Sequence, residues 1–310
     1  MRSGRNAALA LLGLGASIVL VACGGGGHKA MTAPFHATVV EKKTFGSNTV
    51  EAIDYTAYDG TKVPALFAYP SDSLACLMYQ GGIGQPKEAA FQPNGLAAGA
   101  AKLRLSTFSI DPRDTGARGS TALLEQDVQN PRAIRAVIVD TVNDLRRGLT
   151  YLEAQPQCHD RVGYLGTSFG GVLGALLAGS DPRIGAVVLT SIGATWQEAL
   201  SVPNTPLLPQ DSHDPKALAS ALTILEPYSA DAWVGKIAPR PVMLLNGTND
   251  PYVPQIDAAD LAKHIGEPKV IVMFNGGHNP FGAPGTSPAQ AAANAQRVAS
   301  FLVKNLLGGR

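Results

Sequence analysis

The chain has 310 residues, 45% of them hydrophobic and only 16% charged, with a formal net charge of +1. That much apolar material builds a sizeable core and excludes an intrinsically disordered chain. The near-neutral balance, without a long run of either sign, lacks the clustered Lys and Arg surface that a nucleic-acid partner requires. The length suits one large α/β domain.

Taken in order, Arg2 and Arg5 form a short positive region, and Ala7 to Val21 an uncharged, largely apolar stretch. The stretch is short for a transmembrane helix, and its flanks are those of a secretory signal. It ends in Leu20-Val21-Ala22-Cys23, which resembles a bacterial lipobox, where small residues precede a cysteine that takes a lipid before the signal is cut. Residues 1–22 are therefore expected to be a lipoprotein signal peptide and Cys23 the lipidated mature N-terminus. The plainer alternative is an ordinary signal cleaved after Ala22. Residues 23–46 read as a flexible tether that starts with Gly24 to Gly27. No acidic residue follows Cys23, as in lipoproteins sorted to an outer membrane. The expected location is the bacterial cell envelope, on the outer membrane and facing the periplasm. Setting Cys23 aside leaves Cys76 and Cys158, an even pair suited to an oxidising compartment.

Residues 47–310 read as the folded domain. Thr49 to Tyr58 and Lys62 to Tyr69 are strand-like runs joined by Asp59-Gly60, a hairpin signal. Leu74 to Tyr79, followed by Gly81-Gly82, is a short buried strand, and Leu103 to Ile110 another, interrupted by Arg104 and Ser106. A helix is predicted over about Pro131 to Ala154, capped by Asn130 and opened by Pro131. Its apolar residues, Ile134, Val137, Ile138, Val142, Leu145, Leu149 and Leu152, recur every three or four positions. Arg161 to Gly166 is then a strand and Gly170 to Ala178 a helix of small residues. Ile184 to Thr190, Val242 to Asn246 and Lys269 to Phe274 are further buried strands, and Ser287-Pro288 opens a last helix that reaches about Leu307. Short apolar strands alternating with helices predict an α/β architecture, a mainly parallel sheet with helices on both faces. Residues 193–240 carry Pro203, Pro206, Pro209 and Pro215 and no strand pattern, so they read as an insertion that covers a site.

The chemistry centres on Gly166-Thr167-Ser168-Phe169-Gly170, between a predicted strand and a predicted helix. A sharp strand-to-helix turn lifts the Ser168 hydroxyl above the sheet, and the flanking glycines let neighbouring backbones approach. A serine hydroxyl needs a base, and the base an orienting acid. Of six histidines, His28 and His36 fall in the tether, His159 at the far end of the sheet, His213 in the insertion and His264 in a helix. His278, in the loop after the strand ending at Phe274, lies where catalytic groups of open α/β sheets gather, beyond the carboxyl ends of strands. Asp250 follows Val242 to Asn246 at the corresponding place. Asp257 and Asp260 are rivals further on, on a helix face where solvated charge is the simple reading, and Asp231 precedes the strand. The order Ser168, Asp250, His278 is a recognised triad order. An oxyanion would be held by the Phe169 N–H and by the Gly82 N–H, with Ile83 the neighbouring option, in Gln80-Gly81-Gly82-Ile83-Gly84. No His/Cys cluster has metal-ligand spacing, so neither metal nor organic cofactor is expected.

With these motifs the chain resembles the α/β-hydrolase superfamily over roughly residues 47–308. Within it, Tyr58-Asp59-Gly60-Thr61-Lys62-Val63-Pro64, Asp111-Pro112-Arg113-Asp114-Thr115-Gly116 and Pro239-Arg240-Pro241-Val242 resemble dienelactone-hydrolase-like, acetyl-xylan-esterase-like and S9-peptidase-like enzymes. Where many relatives carry His-Gly before the oxyanion loop, this chain has Gln80-Gly81. The resemblance implies an eight-stranded, mainly parallel sheet with a small insertion after the sixth strand, and a serine hydrolase of small-molecule carboxylic esters working through an acyl-enzyme. It also implies that the third and fifth strands are neighbours, which would bring Cys76 and Cys158 within disulfide reach. Trp196, Leu200, Leu207, Leu208 and Trp233 of the insertion could wall an apolar acyl pocket. A peptidase or amidase of S9 type would use the same triad, and a non-catalytic, lipid-anchored binding protein on this scaffold is the reading from a different class.

Overall fold

The computed structural model describes residues 33–202 and 214–308. The signal peptide, the lipidated Cys23, His28, His213, Leu207, Leu208 and the prolines at 203, 206 and 209 lie outside the described residues.

Nine strands form one sheet: β1 (Ala37–Phe45), β2 (Asn48–Thr56), β3 (Lys62–Pro70), β4 (Ala75–Gln80), β5 (Leu105–Ile110), β6 (Val162–Thr167), β7 (Ile184–Thr190), β8 (Val242–Gly247) and β9 (Lys269–Phe274). Their spatial order is β1-β2-β3-β5-β4-β6-β7-β8-β9. The first three pair antiparallel, β3 pairs antiparallel with β5, and every pair from β5 to β9 is parallel. The expected sheet of eight strands thus gains one, and that strand, β1, falls inside the expected tether. All nine residues of β1 are exposed. It is held by its backbone ladder to β2 and buries no apolar face, so it carries none of the alternation by which strands are read from sequence.

The helices are α1 (Leu96–Lys102), α2 (Thr121–Val128), α3 (Pro131–Glu153), α4 (Phe169–Ser180), α5 (Trp196–Ser201), α6 (Pro215–Leu225), α7 (Asp231–Val234), α8 (Gln255–His264) and α9 (Pro288–Leu302). The Asn130 side chain accepts from the Arg132 N–H and Pro131 takes the first position of α3, as its sequence requires. Alternate residues of the central strands feed two cores. Tyr164, Val187, Leu189 and Leu244 face α3 and α4, whereas Leu165, Val188, Met243 and Leu245 face α1 and α9. A strand buried on both faces is apolar throughout, which explains the continuous runs read for β4, β7 and β8. The insertion at 193–240 holds α5, α6 and α7 and, among the described residues, no strand.

Cys76 of β4 and Cys158, just before β6, form a disulfide with a Cα–Cα distance of 4.7 Å. β4 and β6 are parallel neighbours, and the Cys76 N–H donates to the Arg161 carbonyl at 2.8 Å, so the two starts are drawn together at the end of the sheet opposite Ser168.

Candidate active site

Ser168 stands between β6 and α4 with φ of 55° and ψ of −121°, a conformation uncommon for a residue with a Cβ. The turn closes because backbones meet there. A Cβ at Gly166 would lie 2.2 Å from the Gly170 carbonyl oxygen, and one at Gly170 would lie 2.2 Å from that of Gln80. The Ser168 N–H donates to the Thr190 carbonyl at 2.9 Å and the Gly170 N–H to that of Gly81, also at 2.9 Å. The serine is thereby fastened to β7 on one side and to the loop after β4 on the other.

His278 follows β9, and its Nδ1 lies 2.8 Å and 3.0 Å from the two carboxyl oxygens of Asp250, which follows β8. The Asp250 side chain is fully buried, and its Oδ1 also accepts from the Tyr252 and Val253 N–H groups at 2.8 and 3.1 Å. Those bonds fix the carboxylate, and the carboxylate fixes the tautomer and tilt of the ring. The Tyr252 ring stands edge-on to the imidazole, centroids 5.0 Å apart, and the Ser191 hydroxyl donates to the His278 carbonyl. Ser168 and His278 line one cleft of about 1470 Å³. Among the described residues the His278 Nε2 has no hydrogen-bond partner, and the Ser168 hydroxyl is not bonded to it. Such bonds commonly tighten only when substrate arrives.

The two expected oxyanion donors flank the serine. A Cβ on Gly82 would lie 3.6 Å from the Ser168 Cβ. The Gly82 N–H, however, donates to the side-chain Oε1 of Gln85 at 3.2 Å, so an amide oxygen occupies it. The Phe169 and Ile83 N–H groups have no protein acceptor among the described residues.

Three residues of this site escape sequence reading: Gln85, Ser191 and Tyr252. None belongs to a motif; Ser191 and Tyr252 come in through His278, remote along the chain, and Gln85 through a turn contact with Gly82 three residues back. Asp257 reverses its expected character. It is 3% exposed rather than solvated, lines the cleft, and its Oδ1 accepts from the Ala194 and Thr195 N–H groups at 2.8 and 3.3 Å. Burial pushes its carboxyl up to about 6 against those two bonds, with Glu198 and Asp260 adding to the rise. The reversal comes from α8 turning this side chain onto the backbone at Gly193, where a Cβ would meet its carboxyl oxygen. Asp260 keeps the solvated role, half-exposed and paired with Lys263. The insertion divides too. Trp196 lines the cleft, but Leu200 sits in the core and Trp233 packs on Gly179 of α4 beneath Lys236.

Comparison with known proteins bears on the same elements. A family model described as the C-terminal domain of BAAT / acyl-CoA thioester hydrolases matches residues 145–222, a stretch that includes Ser168. The uncharacterized protein YfhR of Salmonella typhi is 24% identical over 256 residues, 76% of this chain and 77% of its own length. Among solved structures, an acetyl xylan esterase from Paenibacillus sp. R4 is similar with a TM-score of 0.66 at 15% identity, covering 87% of this chain and 90% of that one. Acetyl xylan esterase 1 from Thermoanaerobacterium sp. JW/SL YS485 is similar with a TM-score of 0.67 at 14% identity, covering 86% and 87%. A cold-adapted esterase from an Arctic intertidal metagenomic library gives 0.61 at 17%, covering 84% and 97%. The chain has the α/β-hydrolase fold.

Proposed function

We propose that this chain is a serine carboxylester hydrolase with Ser168 as nucleophile, His278 as base and Asp250 as the acid that orients it. One observation carries the reading: the imidazole held by Asp250 opens onto the same cleft as a serine in a strained strand-to-helix turn. The Ser168 Oγ attacks the acyl carbon and passes its proton to the His278 Nε2, and the buried Asp250 stabilises the imidazolium. The new oxyanion takes the Phe169 N–H and the Gly82 N–H once the Gln85 amide oxygen is displaced, with the Ile83 N–H as the neighbouring donor. His278 then protonates the departing alkoxide. Water, deprotonated by the same ring, releases the acid from the acyl-enzyme.

The test is hydrolysis of p-nitrophenyl esters and labelling by a phosphonate. Ser168→Ala is expected to lose at least about a thousandfold in kcat/KM, and mass spectrometry should find the phosphonate on Ser168. Activity retained in the variant removes Ser168 from its role. The partial match to acyl-CoA thioester hydrolases favours a second reading with the same attack and a thiolate leaving group. Release of free thiol from an acyl-CoA at a higher kcat/KM than from the matching oxygen ester would select it.

The N-terminal pattern supports a lipid on Cys23 and attachment to the outer membrane facing the periplasm, and a disulfide suits that oxidising compartment. Metabolic labelling with palmitate, expected for the wild type and lost in Cys23→Ala, tests the anchor.

A further inference from the structure

The cleft at Ser168 has two arms of opposite chemistry. One passes beneath the insertion and ends on Trp196 and the buried Asp257 carboxyl. The other leaves the serine along the face of the sheet that carries α1 and α9. Its floor is Tyr79 of β4 and Thr167 of β6, above the buried Leu77, Leu165 and Leu105 of the same sheet face. Its walls are Gly99 and Leu103 on one side and Ala295, Ala299 and Leu302 of α9 on the other. Both helices run antiparallel to the strands, so this arm extends from the carboxyl ends, at Thr167 beside Ser168, toward the amino ends. Small residues keep it open, since a Cβ at Gly99 would meet nothing within 4 Å. Lys102 and Gln296 are polar residues on its exposed rim.

We propose that the trough between α1 and α9 is the acyl-chain site of this enzyme and that the substrates are esters of medium- to long-chain aliphatic acids, with the leaving group in the arm of Asp257. The proposal rests on the esterase reading. It commits to an aliphatic chain because the trough is continuous with the Ser168 hydroxyl and apolar along its floor, while the other arm presents a carboxyl. From Ala295 to Leu302, α9 advances about 10 Å, room for several methylenes. Each methylene buried contributes roughly fourfold to binding at most.

The experiment compares p-nitrophenyl acetate, octanoate and dodecanoate on the wild type and on Gly99→Phe, and measures calorimetrically the binding of dodecanoate to Ser168→Ala with and without Gly99→Phe. Gly99 is an exposed helical position, so the larger side chain fills the trough without touching Ser168, Asp250 or His278. The wild type is expected to prefer octanoate to acetate at least tenfold in kcat/KM. In Gly99→Phe the octanoate-to-acetate ratio of kcat/KM should fall at least tenfold, and dodecanoate binding should weaken at least tenfold. Indifference to chain length, or an equal fall on all three esters in Gly99→Phe, overturns the trough and leaves the esterase reading standing. Silence on every ester together with dodecanoate binding that Gly99→Phe abolishes overturns the esterase reading and keeps the trough as an aliphatic site. Ala299→Phe fills the same space from the facing helix and guards against a folding defect in α1.

Discussion

Asp257 illustrates how far one residue's chemistry depends on what it is packed against. Two positions into α8 it reads as a solvated first-turn acid, yet the fold buries it at the backbone of Gly193 and Ala194. Its carboxyl is pushed from 3.8 to about 6, so between those values the folded chain holds a proton that the unfolded chain has lost. The stability that Asp257 contributes therefore falls as pH rises through that window and levels off above it. Asp257→Asn, whose amide oxygen can still accept from Ala194 and Thr195, is expected to flatten this dependence, and its Tm at pH 8 should exceed that of the wild type by about 2–4 °C for each kcal/mol regained. Thermal melts from pH 4 to 8 decide it; parallel curves for the two proteins would remove Asp257 as the source. Asp250, the other buried acid of the site, is surrounded instead by two N–H groups and an imidazole. That contrast between two buried acids of one site is invisible in the residue type.

Among the elements, two of the three sequence motifs that suggested a subfamily meet in one electrostatic joint. Arg113, in the loop after β5, holds Asp144 of α3 with two nitrogens at 2.8 and 3.1 Å and Asp59 of the β2–β3 hairpin at 2.7 Å. Arg118 adds a third bond to Asp144 at 2.7 Å, and the Asp144 side chain is fully buried. The joint ties hairpin, loop and helix on the side of the sheet where α3 packs. Removing a buried partner leaves the opposite charges uncompensated, so Asp144→Ala is expected to cost about 3 kcal/mol, read as a lower urea midpoint. A change under about 0.5 kcal/mol, the range of ordinary surface substitutions, would show that the loop is held by other means. Elements with a strong period were legible: α3 from its apolar spacing and cap, and β4, β7 and β8 from their apolar runs. Elements without one were not. β1 buries nothing, and α1 and α2 are short helices with only Ala100 and Val128 buried.

At the scale of the whole molecule, the disulfide and the proposed triad sit at opposite ends of one sheet. Cys76 and Cys158 are 82 residues apart, and cross-linking a loop of that length removes several kcal/mol of unfolded-state entropy, typically about 2–4 kcal/mol in practice. Cys76→Ser/Cys158→Ser should unfold at lower denaturant yet retain kcat/KM, because the proposed catalytic groups lie at the carboxyl ends of the strands. A double variant as stable as the wild type would deny the disulfide its structural role.

The sequence by itself determined the parallel α/β architecture, the strand-to-helix turn at Ser168, the order Ser168, Asp250, His278, and the pairing of Cys76 with Cys158 once the superfamily's strand order is granted. These are local patterns: period, turn chemistry, and residues placed just past strand ends. Only the tertiary structure decided that Asp257 is buried, that Ser191 braces the His278 loop, and that the cleft runs on between α1 and α9. Each depends on which backbone another element leaves uncovered. That is settled by packing between segments remote in the chain, and no local pattern encodes it.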